Sequence, residues 1–293
     1  MPELPEVQTV VNYLKEHLID REITNVLVKH EKLIKNVSAK TFSETVVNHK
    51  IVMIARKGKY ILFHLSDNLT IVAHLRMEGK FFIYDNLKLM RNHDYIIFKL
   101  SGGQFLVFND TRQFGTFHIV KTSELNDLKE LKKVAQDPLE ANFNFDRMAH
   151  LILKSNKNIK TILLDQSIVS GLGNIYANEV LFATRINPLT KGKNLTIDQV
   201  KAIFQASKKI LTKAIKYNGT TIHSFKFGNN QRGSFLDFLK VHFKAKQICS
   251  ICLNHIIRFK DHGRSIYCCP VCQNLTAEQL AKINLEEVEE TKL

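Results

Sequence analysis

The sequence lacks any stretch near the ~18 uninterrupted apolar residues that a membrane-crossing helix needs, although 44% of its 293 residues are apolar. It lacks the basic-then-apolar order of a secretory signal at its start, so a globular protein of the cytoplasm is expected. No internal repeat and no low-complexity tract is present, which argues against solenoids and tether-like chains. Cysteine is missing from the first 248 positions, and all five fall between 249 and 272. Without a secretion signal, that clustering favours metal binding over disulfides. Acidic residues are also in deficit, 28 Asp and Glu against 42 Lys and Arg, for a formal charge of +14. A surplus of that size calls for a polyanionic partner, nucleic acid ahead of an acidic membrane surface. The basic residues concentrate late: 201–272 holds 13 Lys or Arg against two Asp, whereas 273–293 holds five Glu against two Lys.

What is present divides the chain in two, as its length leads one to expect. After Pro5, which suits a first helical turn, Val7, Val10, Val11, Leu14 and Leu18 recur at helical spacing. From 51 to 120 the texture becomes short β-branched and aromatic runs ("YILFHL", "LTIVAHL", "YIIFKL", "QFLVFN") between "RKGK", "SDN" and "SGG" turns. These predict an antiparallel sandwich or barrel. The run "KKVAQDPLEANFNFD" breaks the pattern and reads as a linker at 133–145. Helices follow. "SGLGNIYANEVLFATRINP" places a Gly-x-Gly turn and Asn174 at a helix start, where backbone N–H groups could bind an anion. In "TIDQVKAIFQASKKILTKAIKYNG", Thr196 and Gln199 have capping-box spacing and Asn218-Gly219 is a stop.

"CSICLNHIIRFKDHGRSIYCCPVC" carries two CxxC pairs, Cys249 with Cys252 and Cys269 with Cys272. That spacing fits two thiolate knuckles around one tetrahedral zinc ion. Four cysteine ligands leave no open position for water, so such a zinc is structural. Cys268 is left over, since it would give CxxxC spacing. Arg258, Lys260, His262 and Arg264 lie between the pairs, and a stiffened basic hairpin suits a phosphate backbone. Composition and spacing thus indicate a DNA- or RNA-binding protein with a zinc ribbon, and no more.

Seven motifs in order, "PELPEV", "RKGKYILFHL", "HLRMEG", "NHD", "NDTRQFG", "LLDQSIVSGLGNIYANE" and the CxxC pairs, resemble the bacterial formamidopyrimidine-DNA glycosylases from residue 2 to about 272. The resemblance implies an α+β fold: an N-terminal β-sandwich domain with flanking helices (1–132), a helical domain with a helix-two-turns-helix motif (146–236), a four-cysteine zinc finger (237–273) and, past the family's usual end, an acidic tail (274–293). It implies a base-excision repair enzyme that acts as a monomer on damaged duplex DNA, removing oxidised purines and cutting the abasic strand.

By that resemblance Pro2, freed by loss of Met1, is the nucleophile toward the sugar C1′. An α-amine titrates near ~8, far below lysine, and the positive end of a helix lowers it further. Glu3 corresponds to the acid/base and Glu6 supports it, Lys59 assists at the lesion and 3′ phosphate, and Arg264 serves δ-elimination. A stacked purine must be flipped out and its gap filled. The implied fillers are Met77, Arg112 and Phe114, and the implied DNA contacts are His74, His93, Lys154, Lys157, Lys160 and Asn174.

The chain departs from the family pattern in places. "NNQRGSF" (229–235) replaces a Gly-rich lesion-recognition loop, "VHFKAKQIC" lacks a Tyr-Gly pair, and Gln113 stands where a basic residue is common. Two other readings stay open: an endonuclease VIII-type enzyme for oxidised pyrimidines, disfavoured by "PELPEV" in place of "PEGPE", and a protein that grips damaged DNA without cutting it.

Overall fold

A computed structural model describes residues 1–220 and 233–290, with side chains as far as Ile283. The chain forms two compact units, Met1–Val134 with Ala214–Leu236, and Ala135–Lys213 with Asp237–Leu293.

The first unit opens with α1 (Leu4–Leu18), whose Val7, Val10, Val11, Leu14 and Leu18 are all at most 3% exposed. Pro5 occupies its first turn, where no N–H is needed. Two four-stranded antiparallel sheets follow. One has the order β1 (Ile23–Val28), β6 (Asp94–Leu100), β7 (Phe105–Asn109), β5 (Lys80–Tyr84). The other runs β2 (Ile51–Lys57), β3 (Tyr60–Leu65), β4 (Leu69–His74), β8 (Thr116–Lys121).

Strand alternation builds the core. Ile61, Phe63, Leu65, Ile71, Ala73, Phe81, Ile96, Phe98, Phe108 and Phe117 share one buried cluster with the apolar face of α1 and with Phe42 and Val46 of α2 (Ala39–Val46). The intervening Leu62 and Val72 face the other way and pack on Leu131 of the short helix α3 (Lys129–Lys132). The expected sandwich is therefore what forms.

Register explains how one end of the sandwich is organised. His74 pairs with Thr116 and Lys80 pairs with Asn109. The connections β4–β5 (75–79) and β7–β8 (110–115) therefore cross between the sheets side by side. Beneath both lies the Phe108 ring, fully buried. A Cβ on Gly79 would come within 2.5 Å of the Leu75 carbonyl oxygen and 2.7 Å of Phe108, and one on Gly115 within 2.5 Å of Phe108. The β2–β3 turn, through the Tyr60–His74 pair, and the approach to β6, through Asp94–Asn109, lie at this same end.

In the second unit α4 (Phe145–Leu153), α5 (Ile159–Leu163), α6 (Asn174–Ala183) and most of α7 (Ile197–Lys216) precede the cysteine segment. Helix α6 is buried nearly all round, from Ile175 to Phe182, which marks it as the central helix of the unit. The Thr196–Gln199 capping box opens α7 with both reciprocal bonds, 2.9 and 3.2 Å. Asn218 and Gly219 end the helical run with left-handed backbones. Residues 135–144 are ordered by their own turns: Asp137 is 1% exposed, its N–H donates to Glu140, and Ala135 donates to the Gln166 carbonyl. The strands β9 (Ile257–Asp261) and β10 (Arg264–Cys268) form a hairpin, and α8 (Ala277–Glu290) closes the chain behind a second capping box, Thr276 with Gln279.

Gly79→Ala should lower stability by roughly 1–3 kcal/mol, the usual range for overpacking, because the added carbon meets a backbone oxygen that cannot move without shifting the turn. Urea unfolding of the parent and the variant measures it.

Candidate active site

Pro2 and Glu3 are buried where α1 begins, and Met1 before them is half exposed. The Glu6 carboxylate, 2% exposed, binds in two directions. Its Oε2 accepts the Glu3 N–H at 2.8 Å and its Oε1 accepts the Thr220 N–H at 2.7 Å. Gly219, at φ 75°, has no room for a side chain, since a Cβ would lie 2.7 Å from Glu6 Oε1. Arg56 ties α1 to the β2–β3 turn: Nε donates to Gln8 Oε1 and Nη1 to the Gly58 carbonyl, both at 2.9 Å. Lys59 follows in that turn, 5% exposed.

His74 ends β4 beside it, 6% exposed, its ring edge-on to Tyr60 at 4.6 Å. Its Nδ1 accepts the Arg76 N–H at 2.9 Å, which places the ring proton on Nε2. Burial, with the charges of Arg76 and Lys59 adding to it, pushes the His74 pKa down to about 3. The imidazole is therefore a neutral hydrogen-bond donor at physiological pH.

Three connections at this end carry the expected gap fillers and a DNA-contact residue. Met77 (40% exposed) projects from 75–79, and Arg112 and Phe114 (52% exposed) from 110–115, with the guanidinium 5.0 Å over the Phe114 ring. Fully buried Asp110 holds the second loop, accepting the Arg112 N–H at 3.1 Å and the Gly115 N–H at 2.7 Å. His93, exposed before β6, has its carbonyl on the Asp110 N–H at 3.1 Å. The fold thus gathers Pro2, Glu3, Lys59, His74, Met77, His93, Arg112 and Phe114 at one end of one sandwich.

The remaining expected residues lie in the second unit. Cys249, Cys252, Cys269 and Cys272 have all four Sγ atoms within 4.8 Å of one another. A tetrahedron of bonds of about 2.3 Å puts sulfurs about 3.8 Å apart, so the set fits one thiolate-bound metal ion. The Asn254 N–H, followed by the neighbouring Cys269 thiol, brings the Cys252 pKa down to about 6, while burial pushes the Cys269 and Cys272 thiols up. Cys268 points away into a cluster with Phe259, Ile266 and Ile283, and burial raises its thiol to about 12. The choice of Cys269 over Cys268 agrees with this arrangement.

Arg264, exposed, starts β10 beyond the His262-Gly263 turn. The carbonyl of the next residue, Ser265, accepts Asn174 Nδ2 at 3.0 Å and Lys160 Nζ at 3.5 Å. Lys154 and Lys157 are exposed. Lys160, expected beside them, is 2% exposed and donates to Asn178 Oδ1, whose amide nitrogen meets His242 Nδ1 at 2.7 Å. As placed, Lys160 supports the hairpin from behind. Glu179 adds a strap, accepting the N–H groups of Lys240, Val241 and His242 at 2.8, 2.9 and 2.8 Å. Burial raises its carboxyl pKa, opposed by those three donors. The loop 229–235 falls outside the described residues up to 232.

Comparison with known proteins matches residues 1–117 to the formamidopyrimidine-DNA glycosylase N-terminal domain and residues 134–226 to the formamidopyrimidine-DNA glycosylase H2TH domain. The formamidopyrimidine-DNA glycosylase of Ureaplasma parvum serovar 3 is 50% identical over 276 residues, covering 94% of this chain and all of that one. The chain belongs to the formamidopyrimidine-DNA glycosylase family. It is accordingly a DNA glycosylase of base-excision repair. A Lactococcus lactis FPG variant in complex with Fapy-dG containing DNA superposes with a TM-score of 0.88 at 31% identity, covering 94% of this chain and all of that one. The Lactococcus lactis Fpg complex with DNA containing an abasic site gives 0.86 at 31% identity, with 92% and 99% covered. No helix among the described residues is long and apolar enough to cross a membrane.

Sequence reading missed the polar supports. Asn178 and Glu179 could have been noticed as adjacent polar residues in an otherwise apolar helix, "NIYANEVLFA". Glu6's bond to Thr220 spans 214 positions and has no local signal. The missing Tyr-Gly pair has a structural counterpart: Phe243 adopts φ 62°, a left-handed backbone usually left to glycine, and its ring packs with His242 and Tyr267.

His242, like His74, is lowered to about 3, by burial and then by Lys160. An unfolded histidine titrates near ~6.5, and a lowered folded pKa gives stability that is whole above that value. It should drain away as pH falls from 6.5 toward 3, where the unfolded chain binds protons that the folded one does not. Imidazole NMR should show both rings still neutral at pH 5, and His74→Gln should flatten the fall in urea midpoint across that window.

Proposed function

We propose that this glycosylase removes oxidised purines, 8-oxoguanine and formamidopyrimidines, from duplex DNA and then cleaves the abasic strand by β,δ-elimination. The observation that carries this reading is the burial of Pro2 and Glu3 at the start of α1, at the same end of the sandwich as Lys59, His74 and the loops bearing Met77, Arg112 and Phe114. It requires removal of Met1, since an amide nitrogen has no lone pair to offer.

The freed Pro2 nitrogen attacks C1′ of the flipped nucleotide as the C1′–N9 bond breaks and its electron pair leaves with the base. Glu3, beside it in the chain, supplies the proton for the departing base or the opened sugar ring. The nitrogen then sheds its proton and its lone pair breaks the C1′–O4′ bond, O4′ taking a proton from Glu3, to give an iminium ion between nitrogen and C1′ that acidifies C2′–H. Loss of that proton expels the 3′ phosphate, and a second elimination, served by Arg264, expels the 5′ phosphate. Lys59 and the neutral Nε2–H of His74 suit the phosphates flanking the flipped sugar. Met77 fills the vacated stack, Arg112 bonds the orphaned cytosine and Phe114 stacks beside it. His93, Lys154, Lys157 and Asn174 contact the DNA backbone. Lys160 shares in that grip by fixing the Ser265 carbonyl beside Arg264.

The four cysteines hold one zinc ion, whose role is to stiffen the hairpin that delivers Arg264. The working unit is a monomer in the cytoplasm, at the nucleoid. "PELPEV" supports purine over pyrimidine lesions.

Borohydride should trap a covalent adduct between the Met1-free protein and duplex carrying 8-oxoguanine opposite cytosine, detected as a shifted band on denaturing gels. Excision at full rate by protein that keeps Met1 would overturn the mechanism. Glu3→Gln should slow excision by about 10²–10⁴-fold, the usual contribution of a positioned acid. Native mass spectrometry should find one zinc per chain, lost in Cys252→Ser together with strand cleavage.

A further inference from the structure

We propose that Tyr95 is a positioning residue that sets how strictly the enzyme reads the base opposite a lesion. The inference rests on the proposed role of Arg112, and its geometric basis is separate. The Tyr95 hydroxyl accepts Gln113 Nε2 at 2.8 Å and meets His93 Nδ1 at 3.0 Å. A hydroxyl can accept and donate at once. Taking the Gln113 proton and giving its own to His93 leaves Nε2 as the ring's N–H.

Both partners have left-handed backbones, φ 59° at Gln113 and 72° at His93, a conformation uncommon for residues other than glycine and sustained only when surroundings hold it. The Asp110 carboxylate accepts the Arg112 and Gly115 N–H groups, and its carbonyl accepts the Gln113 N–H at 3.2 Å. Tyr95 is what the described residues show gripping its middle by a side chain. Gln113 lies between Arg112 and Phe114, so fixing its amide sets the direction in which those two project. The ring carrying the hydroxyl is itself held: it packs against the sandwich core and lies 5.1 Å from the His30 ring, while its carbonyl accepts the Lys29 N–H at 2.7 Å.

A neutral amide bonded to Tyr95 braces the loop without adding charge beside Arg112.

The test uses Tyr95→Phe, which keeps the ring and removes the hydroxyl. The probe is a duplex with an uncleavable tetrahydrofuran abasic analogue opposite cytosine or adenine, so the reading is independent of Pro2 chemistry. The parent should prefer cytosine, and Tyr95→Phe should narrow the ratio of dissociation constants about fivefold, as loss of one or two neutral hydrogen bonds predicts. Gln113→Ala should narrow it equally, and the double variant should add nothing further, the signature of a shared interaction. An unchanged ratio in Tyr95→Phe overturns the proposal. Equal weakening toward both duplexes also overturns it, since that marks a merely structural role.

Discussion

One aromatic ring sets the geometry of the end of the sandwich where the two sheets are joined. Phe108, fully buried, lies beneath both chain crossings that join the sheets, and Gly79 and Gly115 approach it so closely that neither can carry a Cβ. Packing of this density does not deform by small amounts. The loops bearing Met77, Arg112 and Phe114 therefore take their positions from the core of the sandwich, and so does Asp110, whose carboxylate collects the N–H groups of Arg112 and Gly115. The contacts of Phe108 with Phe81 and Phe117, at 5.2 and 4.8 Å between ring centres, extend that constraint into both sheets.

Within each unit, buried polar side chains are used as connectors. Glu6 and Glu179 are each almost inaccessible, and each accepts backbone N–H groups far away in sequence, Glu6 taking the nearby Glu3 N–H as well. A buried carboxylate is tolerable only when so satisfied. The result is directional: Glu6 joins the start of α1 to the Gly219–Thr220 turn, and Glu179 holds the strand of chain that leads into the first CxxC pair. Lys160, Asn178 and His242 form a comparable chain behind the hairpin of Arg264, with the histidine kept neutral by its surroundings. Apolar residues of the same volume would give no such angular control.

The departures from family pattern become local exchanges when seen in place. Gln113 has Tyr95, and Phe243 accepts a left-handed backbone while contributing its ring to an aromatic group with His242 and Tyr267. The segment after Cys272 is likewise employed, since Ile283 of α8 packs with Phe259, Ile266 and Cys268 on the back of the hairpin, and Gln279 accepts Asn187 Nδ2 at 2.9 Å.

Much of this was legible from residues alone. Periodicity 3.6 identified the buried face of α1, β-branched and aromatic runs in 51–120 marked seven of the eight sandwich strands but not β1, a capping box was read at Thr196, and CxxC spacing selected four cysteines out of five. These are local signals, set by covalent geometry and by which groups can bond within a turn or two. Motif order likewise identified the family. Tertiary structure alone decided which distant groups meet: Glu6 with Thr220, Tyr95 with Gln113, Phe108 with two glycines, and Lys160, implied by resemblance as a DNA contact, turned inward to Asn178. Each such meeting depends on strand register or helix packing, which no short stretch of sequence specifies, because a side chain's partners are chosen by the whole fold.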